Sequence, residues 1–266
     1  MKRLILLLFL AGFYSCEEVV DVDLEQSEPR LVIEASLLWD KEAGNAQQQV
    51  IKLTTTAPYF DTEIPPATGA EVSVSTPDGK DFIFEEISPG IYRSEDMPVF
   101  KDGNYELSIF YNDQLYTSTE SYYSVSNLEE VLQENDGGFS GDDTEFRLFY
   151  TDPAGIENFY LFRFFHDDLA LQIYSDEFTD GNKSFAFFSD DDLEPGDEVG
   201  FEIQGISEGF YEYLFILRSQ AGTAGGPFQT QPTIVRGNIV NQTQPDNFPF
   251  GYFRLSETDF ITYEVQ

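Results

Sequence analysis

The sequence predicts a mainly β fold, with an immunoglobulin-like β-sandwich over residues 30–126 and a second β-rich, sandwich-like domain with one helix over residues 145–266. Three observations predict it. Short apolar runs alternate with Gly, Pro, Asn and Asp turn residues. Within runs such as 70–75, apolar and polar residues alternate with a period of two, as on a half-buried strand. Aromatic residues make up 16% of the chain, so burial can stabilise the fold although the single cysteine cannot form an intrachain disulfide.

The strands of the first domain are separated by clear turn residues. Apolar residues begin the domain at Leu31–Ile33, and Gln49–Thr54 follows as a second strand. Turn residues at Pro77–Gly79 and Ser88–Gly90 separate the next strands. In Tyr105–Tyr111 the apolar residues occupy every second position. About seven strands in about 95 residues are typical of an immunoglobulin-like sandwich.

Residues 127–144 are rich in Gly and Asp and have little to bury, so we predict a linker there. The strands after it are more aromatic and alternate less strictly. Phe146–Tyr150 and Asn158–Phe165 carry apolar residues at consecutive positions. This pattern is typical of strands that are covered on both faces.

One segment of the second domain has helical rather than strand periodicity. Its apolar residues lie three or four positions apart: Phe210, Tyr213, Leu214, Leu217 and Ala221. Its ends carry residues typical of helix termini: Ser207 as the N-cap, Glu208 in the first turn, Arg218 in the last turn and Gly222 just beyond. We therefore predict one helix that packs against a sheet.

The N-terminus has the layout of a bacterial lipoprotein signal peptide. Lys2 and Arg3 precede an apolar run of about ten residues, and a small residue, Ser15, precedes Cys16. A spanning helix needs roughly 20 apolar residues, so the run is too short to be a permanent membrane anchor. We predict that residues 1–15 are removed and that Cys16 is lipidated. The alternative is an ordinary secreted protein that is cleaved elsewhere and keeps Cys16 as a free thiol.

Residues 16–29 are predicted to form a lipidated acidic tether between the membrane and the fold. Such short acidic stretches commonly serve only to keep a chain solvated. Glu17 and Glu18 also resemble the acidic signal that sends some lipoproteins to the outer face of the outer membrane. We therefore expect a lipid-anchored protein, and these two residues leave open which face of a membrane it occupies.

The charge of the chain excludes several classes of partner. Lys and Arg number 14 against 49 Asp and Glu, which gives a formal net charge of −35. Nucleic-acid binding depends on basic residues that neutralise phosphates, so no nucleic-acid partner is expected. An anionic membrane surface would also repel the body of the protein. Membrane attachment is therefore expected to come from two or three acyl chains at Cys16.

Two places could carry ionic chemistry. His166, the single histidine, is followed by two aspartates and could orient a metal or act as a base. The acidic loop Asp190–Asp197 could hold a hard cation such as Ca²⁺. As an EF-hand counted from Asp190, however, the loop has Pro195 where Gly is needed and Phe201 where the bidentate Glu belongs. We therefore interpret His166 as a polar residue at a strand end and the loop as a solvated turn, and we predict no metal, cofactor or catalytic residue.

The acidic and aromatic residues each leave an alternative open. Paired carboxylates could hydrolyse a glycoside, although some pair is always available among 49 acidic residues. Exposed Tyr and Phe on a sheet could stack on sugars or peptides, or bury against a partner protein. For any single aromatic residue, burial in the core is the simpler interpretation.

Several short motifs together resemble a family of Bacteroidota lipoproteins catalogued as domain of unknown function 4249. The motifs, in order, are Cys16–Glu18, Asp21–Leu24, Leu31–Glu34, Thr56–Phe60, Ser88–Tyr92, Asp152–Gly155, Pro227–Phe228, Gly237–Ile239 and Gly251–Phe253. The resemblance covers nearly the whole chain. It implies an outer-membrane lipoprotein that is associated with a TonB-dependent transporter, and it supplies no catalytic residues because the family has no established activity.

Three functional hypotheses follow. The first is a non-enzymatic outer-membrane lipoprotein that assists a TonB-dependent transporter or captures a ligand for it, and the identity of that ligand stays open. The second is an extracytoplasmic hydrolase that uses two carboxylates, which requires a deep cleft with two acids of different pKa. The third is a structural spacer lipoprotein.

Overall fold

The computed structural model describes residues 28–58, 61–137, 141, 143–167, 169–221 and 233–266. The predicted signal peptide, Cys16 and most of the tether lie outside the described residues. The described part is mainly β with one helix, as predicted. Its elements are β1 (Leu31–Asp40), a 3-10 turn (Lys41–Ala43), β2 (Ala46–Thr55), β3 (Glu71–Ser75), β4 (Asp81–Ser88), β5 (Ile91–Pro98), β6 (Asn104–Tyr111), β7 (Gln114–Tyr123), β8 (Leu128–Gly137), β9 (Asp143–Thr151), β10 (Phe159–Phe165), β11 (Leu169–Ser175), β12 (Lys183–Asp190), β13 (Glu198–Ile206), α1 (Glu208–Ala221), β14 (Val240–Asn241) and β15 (Phe250–Glu264).

Eight strands close into a mixed barrel in the order β15-β1-β2-β5-β4-β3-β6-β7. Neighbours are antiparallel except that β15 runs parallel to both β1 and β7. The prediction of a two-sheet immunoglobulin-like sandwich over residues 30–126 is corrected on this point, because β15 lies between β1 and β7 and joins them into one closed surface. Trp39, Tyr92 and Tyr105 are fully buried inside it.

The seam between β7 and β15 depends on an asparagine side chain. The two strands pair at only two positions, Tyr122 with Leu255 and Tyr123 with Ser256. Beyond them, Asn238 Nδ2 donates to the Phe253 carbonyl at 2.8 Å, and the Phe253 N–H donates to Asn238 Oδ1 at 2.9 Å. The side-chain amide of Asn238 therefore pairs with β15 as the peptide of a neighbouring strand would.

The second region stacks two sheets and the helix. β15 continues beyond the barrel into the sheet β11-β10-β13-β15, and the separate sheet β12-β9-β8 covers one face of it. Aromatic side chains fill the space between the sheets, including Phe146, Phe162 and Phe201, which are fully buried. Since β15 places Phe253 in the barrel core and packs Ile261 and Tyr263 against the second core, the two cores share one strand.

The segment predicted as a linker, 127–144, contains β8 and the start of β9. β8 pairs antiparallel with β9, and Leu128 is buried in the second core. The sequence did not predict this strand, because its exposed positions are acidic and its apolar residues are few. The division into two domains itself stays a prediction.

The predicted helix is present as α1. Ser207 is its N-cap, since its hydroxyl accepts the N–H of Phe210 at 3.2 Å. Phe210 packs against Tyr252 with ring centres 4.9 Å apart, and the buried guanidinium of Arg254 lies 4.7 Å from the centre of the Phe210 ring. Gly222, the predicted residue after the helix, lies outside the described residues. In the described part of the chain, no helix combines the length and the apolar character needed to cross a membrane.

Candidate functional site

The outer face of the small sheet β12-β9-β8 carries four apolar side chains that no layer of the described structure covers. We call Leu132, Phe149, Phe185 and Phe187 the aromatic face. Phe185 and Phe187 are 44% and 48% exposed, and Leu132 is 41% exposed. Phe185 pairs with Phe149 across the strands, and their ring centres are 5.5 Å apart. Strand register thus brings these side chains, from three different strands, onto one surface.

Two cations lie on the aromatic face: Arg147 stands between Leu132 and Phe187 in the strand register, with its guanidinium 5.7 Å from the centre of the Phe185 ring, and Lys183 Nζ lies 4.9 Å from the centre of the Phe149 ring. Arg147 Nη2 lies 2.9 Å from Glu134 and 3.0 Å from Glu145. Lys183 Nζ lies 3.3 Å from Glu130, and hydrogen bonding to this carboxylate raises the pKa of the lysine. Aromatic residues and arginine are the residue types that are enriched at protein interfaces.

Hydrogen bonds with β11 hold the β12 edge of the small sheet in place at Phe187. β12 is an edge strand, and such strands expose unpaired backbone groups. At Phe187 the side chains of β11 satisfy them, because Gln172 Nε2 donates to the Phe187 carbonyl at 2.5 Å and the Phe187 N–H donates to Tyr174 Oη at 3.4 Å. The position of Phe187 is therefore set by contacts between the two sheets.

The structure brings the two predicted ionic candidates together. His166 Nδ1 lies 3.5 Å from Asp190 Oδ2, and His166 Nε2 lies 3.8 Å from Asp197 Oδ2. The two carboxylates approach opposite nitrogens of the ring, so they do not converge with the ring on one point. Asp190, Asp191 and Asp192 also offer oxygens within 4.8 Å of one another, and these three residues could hold a cation. The sequence identified these residues but not their contact.

A second acidic group was not predicted from the sequence. Asp152, Asp176 and Asp180 offer oxygens within 4.8 Å of one another, and the first two residues are 2% and 4% exposed. Their oxygens hold two loops together, because Asp152 accepts the N–H of Gly181 and Asp180 accepts that of Gly155. The group could hold a cation, and its hydrogen bonds also serve the loops. In the sequence, the dipeptides Asp152-Pro153 and Asp180-Gly181 mark the two loops as turns, which is the one signal that could have indicated this group.

A carboxyl group with a raised pKa lies at the start of α1. Burial raises the pKa of Glu120. Its Oε2 accepts hydrogen bonds of 3.4 Å from both Ser207 Oγ and Asn238 Nδ2. These contacts join the N-cap of α1 to the barrel seam, so the structure gives Glu120 a structural role.

Among the described residues, two open depressions of about 470 and 530 Å³ meet at Ile83 and Glu85 on the outside of the barrel.

Comparisons with solved structures give distant likenesses only. A DUF4785 family protein from Legionella pneumophila matches with a TM-score of 0.26 and 11% identity, over 68% of this chain and 54% of that one, so this chain spans about half its length. A segment of two fibronectin type III domains from chicken tenascin matches with a TM-score of 0.22 and 13% identity, over 66% of this chain and 90% of that one. No curated protein matches the chain.

The comparison with protein families is decisive. The model of the domain of unknown function DUF4249 matches residues 17–260, which is nearly the whole chain. This match confirms the family to which the sequence motifs pointed. The chain belongs to the DUF4249 family.

Proposed function

We propose that the protein is a non-enzymatic outer-membrane lipoprotein of the Bacteroidota that is anchored through lipid at Cys16 and acts as an accessory or ligand-capture partner of a TonB-dependent transporter. The sequence before Cys16 supports the anchor, and the resemblance of the motifs supports the location and the partner. The aromatic face supports a binding role. This exposed surface, Leu132, Phe149, Phe185 and Phe187, is the observation that carries the proposal.

The aromatic face is better suited to a partner protein than to a second copy of the chain. Large aromatic side chains contribute much of the binding energy at the centres of interfaces. Two copies would repel one another, because the chain without residues 1–15 has 14 − 2 = 12 basic residues against 49 acidic ones. A partner with an apolar patch and basic residues around it would complement both the aromatic face and the acidic surface.

Purification of the native complex tests the partnership. Membranes are solubilised in mild detergent, the lipoprotein is captured through a C-terminal tag, and the bound proteins are identified by mass spectrometry. We expect a TonB-dependent transporter at comparable abundance. The double variant Phe185→Ser/Phe187→Ser is expected to lower transporter recovery at least tenfold. Recovery of the lipoprotein without a transporter would overturn the proposal.

A matched control separates the aromatic face from exposed apolar residues in general. Ile83 and Phe110 are 61% and 44% exposed on the outside of the barrel. The double variant Ile83→Ser/Phe110→Ser is expected to leave transporter recovery unchanged. An equal loss in both double variants would show that the aromatic face is not the docking surface.

The anchor has its own test. Cys16→Ala is expected to release the protein from membranes, and mass spectrometry of the wild-type protein is expected to show acyl groups on Cys16. A Cys16→Ala variant that still fractionates with membranes, or an unmodified Cys16, would contradict lipid anchoring. Failure of the anchor test would not affect the test of the aromatic face, because that test measures recovery of the transporter and not membrane attachment.

A further inference from the structure

A groove of about 420 Å³ runs between α1 and β11. It is lined by Ile173, Tyr211, Phe215, Arg218 and Ser219. Small-molecule sites in proteins usually have volumes of about 300–1,000 Å³ and combine apolar walls with a few polar groups. The groove is distinct from the aromatic face, because none of its lining residues belongs to the small sheet β12-β9-β8.

The groove is polarised along the helix. Tyr211 and Phe215 lie one turn apart and form the apolar wall, with Ile173 of β11 opposite them. Phe215 is 61% exposed, which is unusual for a large apolar residue on a helix that packs against a sheet. Arg218 and Ser219 follow in the last turn. From Tyr211 to Arg218 the helix rises about 10 Å, so an apolar portion of a ligand would lie along the first part and a polar group at the end.

The guanidinium of Arg218 is available to a ligand. Although acidic residues outnumber basic ones by 49 to 14, none of the described carboxylates lies within ion-pair distance of Arg218, and no described residue accepts a hydrogen bond from it. Residues 222–232, which follow the helix, contain no Asp or Glu. A guanidinium offers five donors in a planar fork that matches a carboxylate, so the chemistry of the open end is that of an anion site.

We propose that the groove between α1 and β11 binds a small amphipathic carboxylate, with its anionic group on Arg218 and its apolar chain along Tyr211, Phe215 and Ile173. Bidentate hydrogen bonds to Arg218 fix the carboxylate, and burial of the chain against the two aromatic rings supplies the remaining affinity. The acidic field of the whole protein gives no long-range attraction to such a ligand. Recognition therefore depends on both ends of the groove together.

Octanoate is the probe, and ligand-observed NMR titration of the purified full chain gives the dissociation constant. We expect saturable binding, a dissociation constant at least tenfold higher for octan-1-ol, which lacks the charge, and no detectable binding of acetate, which lacks the chain. Arg218→Gln is expected to raise the dissociation constant for octanoate at least tenfold. Phe215→Ser is expected to weaken octanoate and octan-1-ol by similar factors.

Arg93→Gln is the matched control, because Arg93 lines a depression on the barrel and also lacks an ion pair among the described residues. It makes the same change of charge and is expected to leave the dissociation constant within twofold of wild type. Far-UV circular dichroism verifies that each variant is folded. Equal weakening by Arg218→Gln and Arg93→Gln, or no saturable binding of octanoate, would overturn the proposal. A dimer in solution that Phe215→Ser abolishes would instead assign the groove to a second copy of the chain.

Discussion

The barrel and the second region place their apolar side chains differently, although they share β15. In the barrel, strand β3 buries Val72 and Val74 in one closed core and exposes Glu71, and Ile83, an apolar residue on the outer surface, does not pair with an exposed aromatic ring across the strands. In the second region, β13 is buried along nearly its whole length on both faces, and β12 exposes Phe185 and Phe187 on the side away from the core. The second region therefore carries more apolar surface than its own layers cover. This difference locates the candidate binding surfaces in the second region.

The largest effect is expected where the shared strand allows no side chain. Gly251 of β15 pairs with Ile33 of β1 and has a backbone φ of +97°. A Cβ atom added at this position would lie 1.9 Å from the Ile33 carbonyl oxygen. Gly251→Val is expected to lower the free energy of unfolding by more than about 4 kcal/mol and to destabilise both regions, because β15 contributes to both cores. Urea unfolding followed by Trp39 fluorescence reports the barrel, and amide hydrogen exchange reports the second region.

Gly196 provides the control for this substitution. Its φ is +99°, but an added Cβ would meet no atom within 4 Å. Gly196→Ala is therefore expected to show only the backbone cost, about 1 kcal/mol. If protection in the second region survived Gly251→Val while the barrel unfolded, the two regions would be independent and the role of β15 as a shared element would be wrong.

The two faces of β12 should differ next most strongly. Phe188 is 3% exposed and stacks on Phe164 with ring centres 5.5 Å apart, whereas its neighbour Phe187 is 48% exposed. Phe188→Ala is expected to cost about 3–5 kcal/mol of unfolding free energy, and Phe187→Ala less than about 1 kcal/mol. Thermal and urea unfolding measure both. Similar losses would mean that the aromatic face is part of the folding core and not a free surface.

The barrel seam should show a smaller loss. Asn238→Ala removes both hydrogen bonds to the backbone of Phe253 and leaves its N–H and carbonyl without these partners, which is expected to cost about 2 kcal/mol. Asn104→Ala, which removes only an exposed hydrogen bond with Ser121, is the control and is expected to change stability by less than about 0.5 kcal/mol. Equal effects in urea unfolding would show that the seam does not depend on Asn238.

The sequence predicted local features better than it predicted the closure of the barrel. The alternation in Tyr105–Tyr111 and the N-cap at Ser207 depend on neighbouring residues, and both predictions match β6 and α1. The barrel depends on the pairing of β1 with a strand more than 200 positions later, and no local pattern specifies that partner. All of β8 lies in the segment that was predicted as linker, because its exposed positions are acidic.

The candidate surfaces illustrate the same limit. His166 and Asp190 were both identified, but their contact depends on the packing of β10 and β12. Phe185 and Phe187 belong to a strand that is apolar on both faces, so its periodicity does not show which face is free. The sheet β11-β10-β13-β15 is covered by α1, whereas no described element covers the outer face of the small sheet. The aromatic face is exposed for this reason, and no local sequence pattern specifies it.

Alkaline pH should give an effect of similar size to that at the seam, confined to pH values above 10, and it tests the second core. Burial raises the pKa of Tyr150 from 10.0 to about 12. The unfolded chain therefore loses this proton first, so the contribution of Tyr150 to stability is fully present below pH 10 and is lost between pH 10 and about pH 12. In Tyr150→Phe this loss is absent, and the variant is expected to gain about 2 kcal/mol relative to wild type across the window. Urea unfolding at pH values from 7 to 12, with tyrosinate absorbance, measures the difference, which should stay constant below pH 10 because neither state loses the proton there. A difference that stays constant up to pH 12 would show that the hydroxyl of Tyr150 ionises equally in both states, and that the second core does not exclude water as its packing indicates.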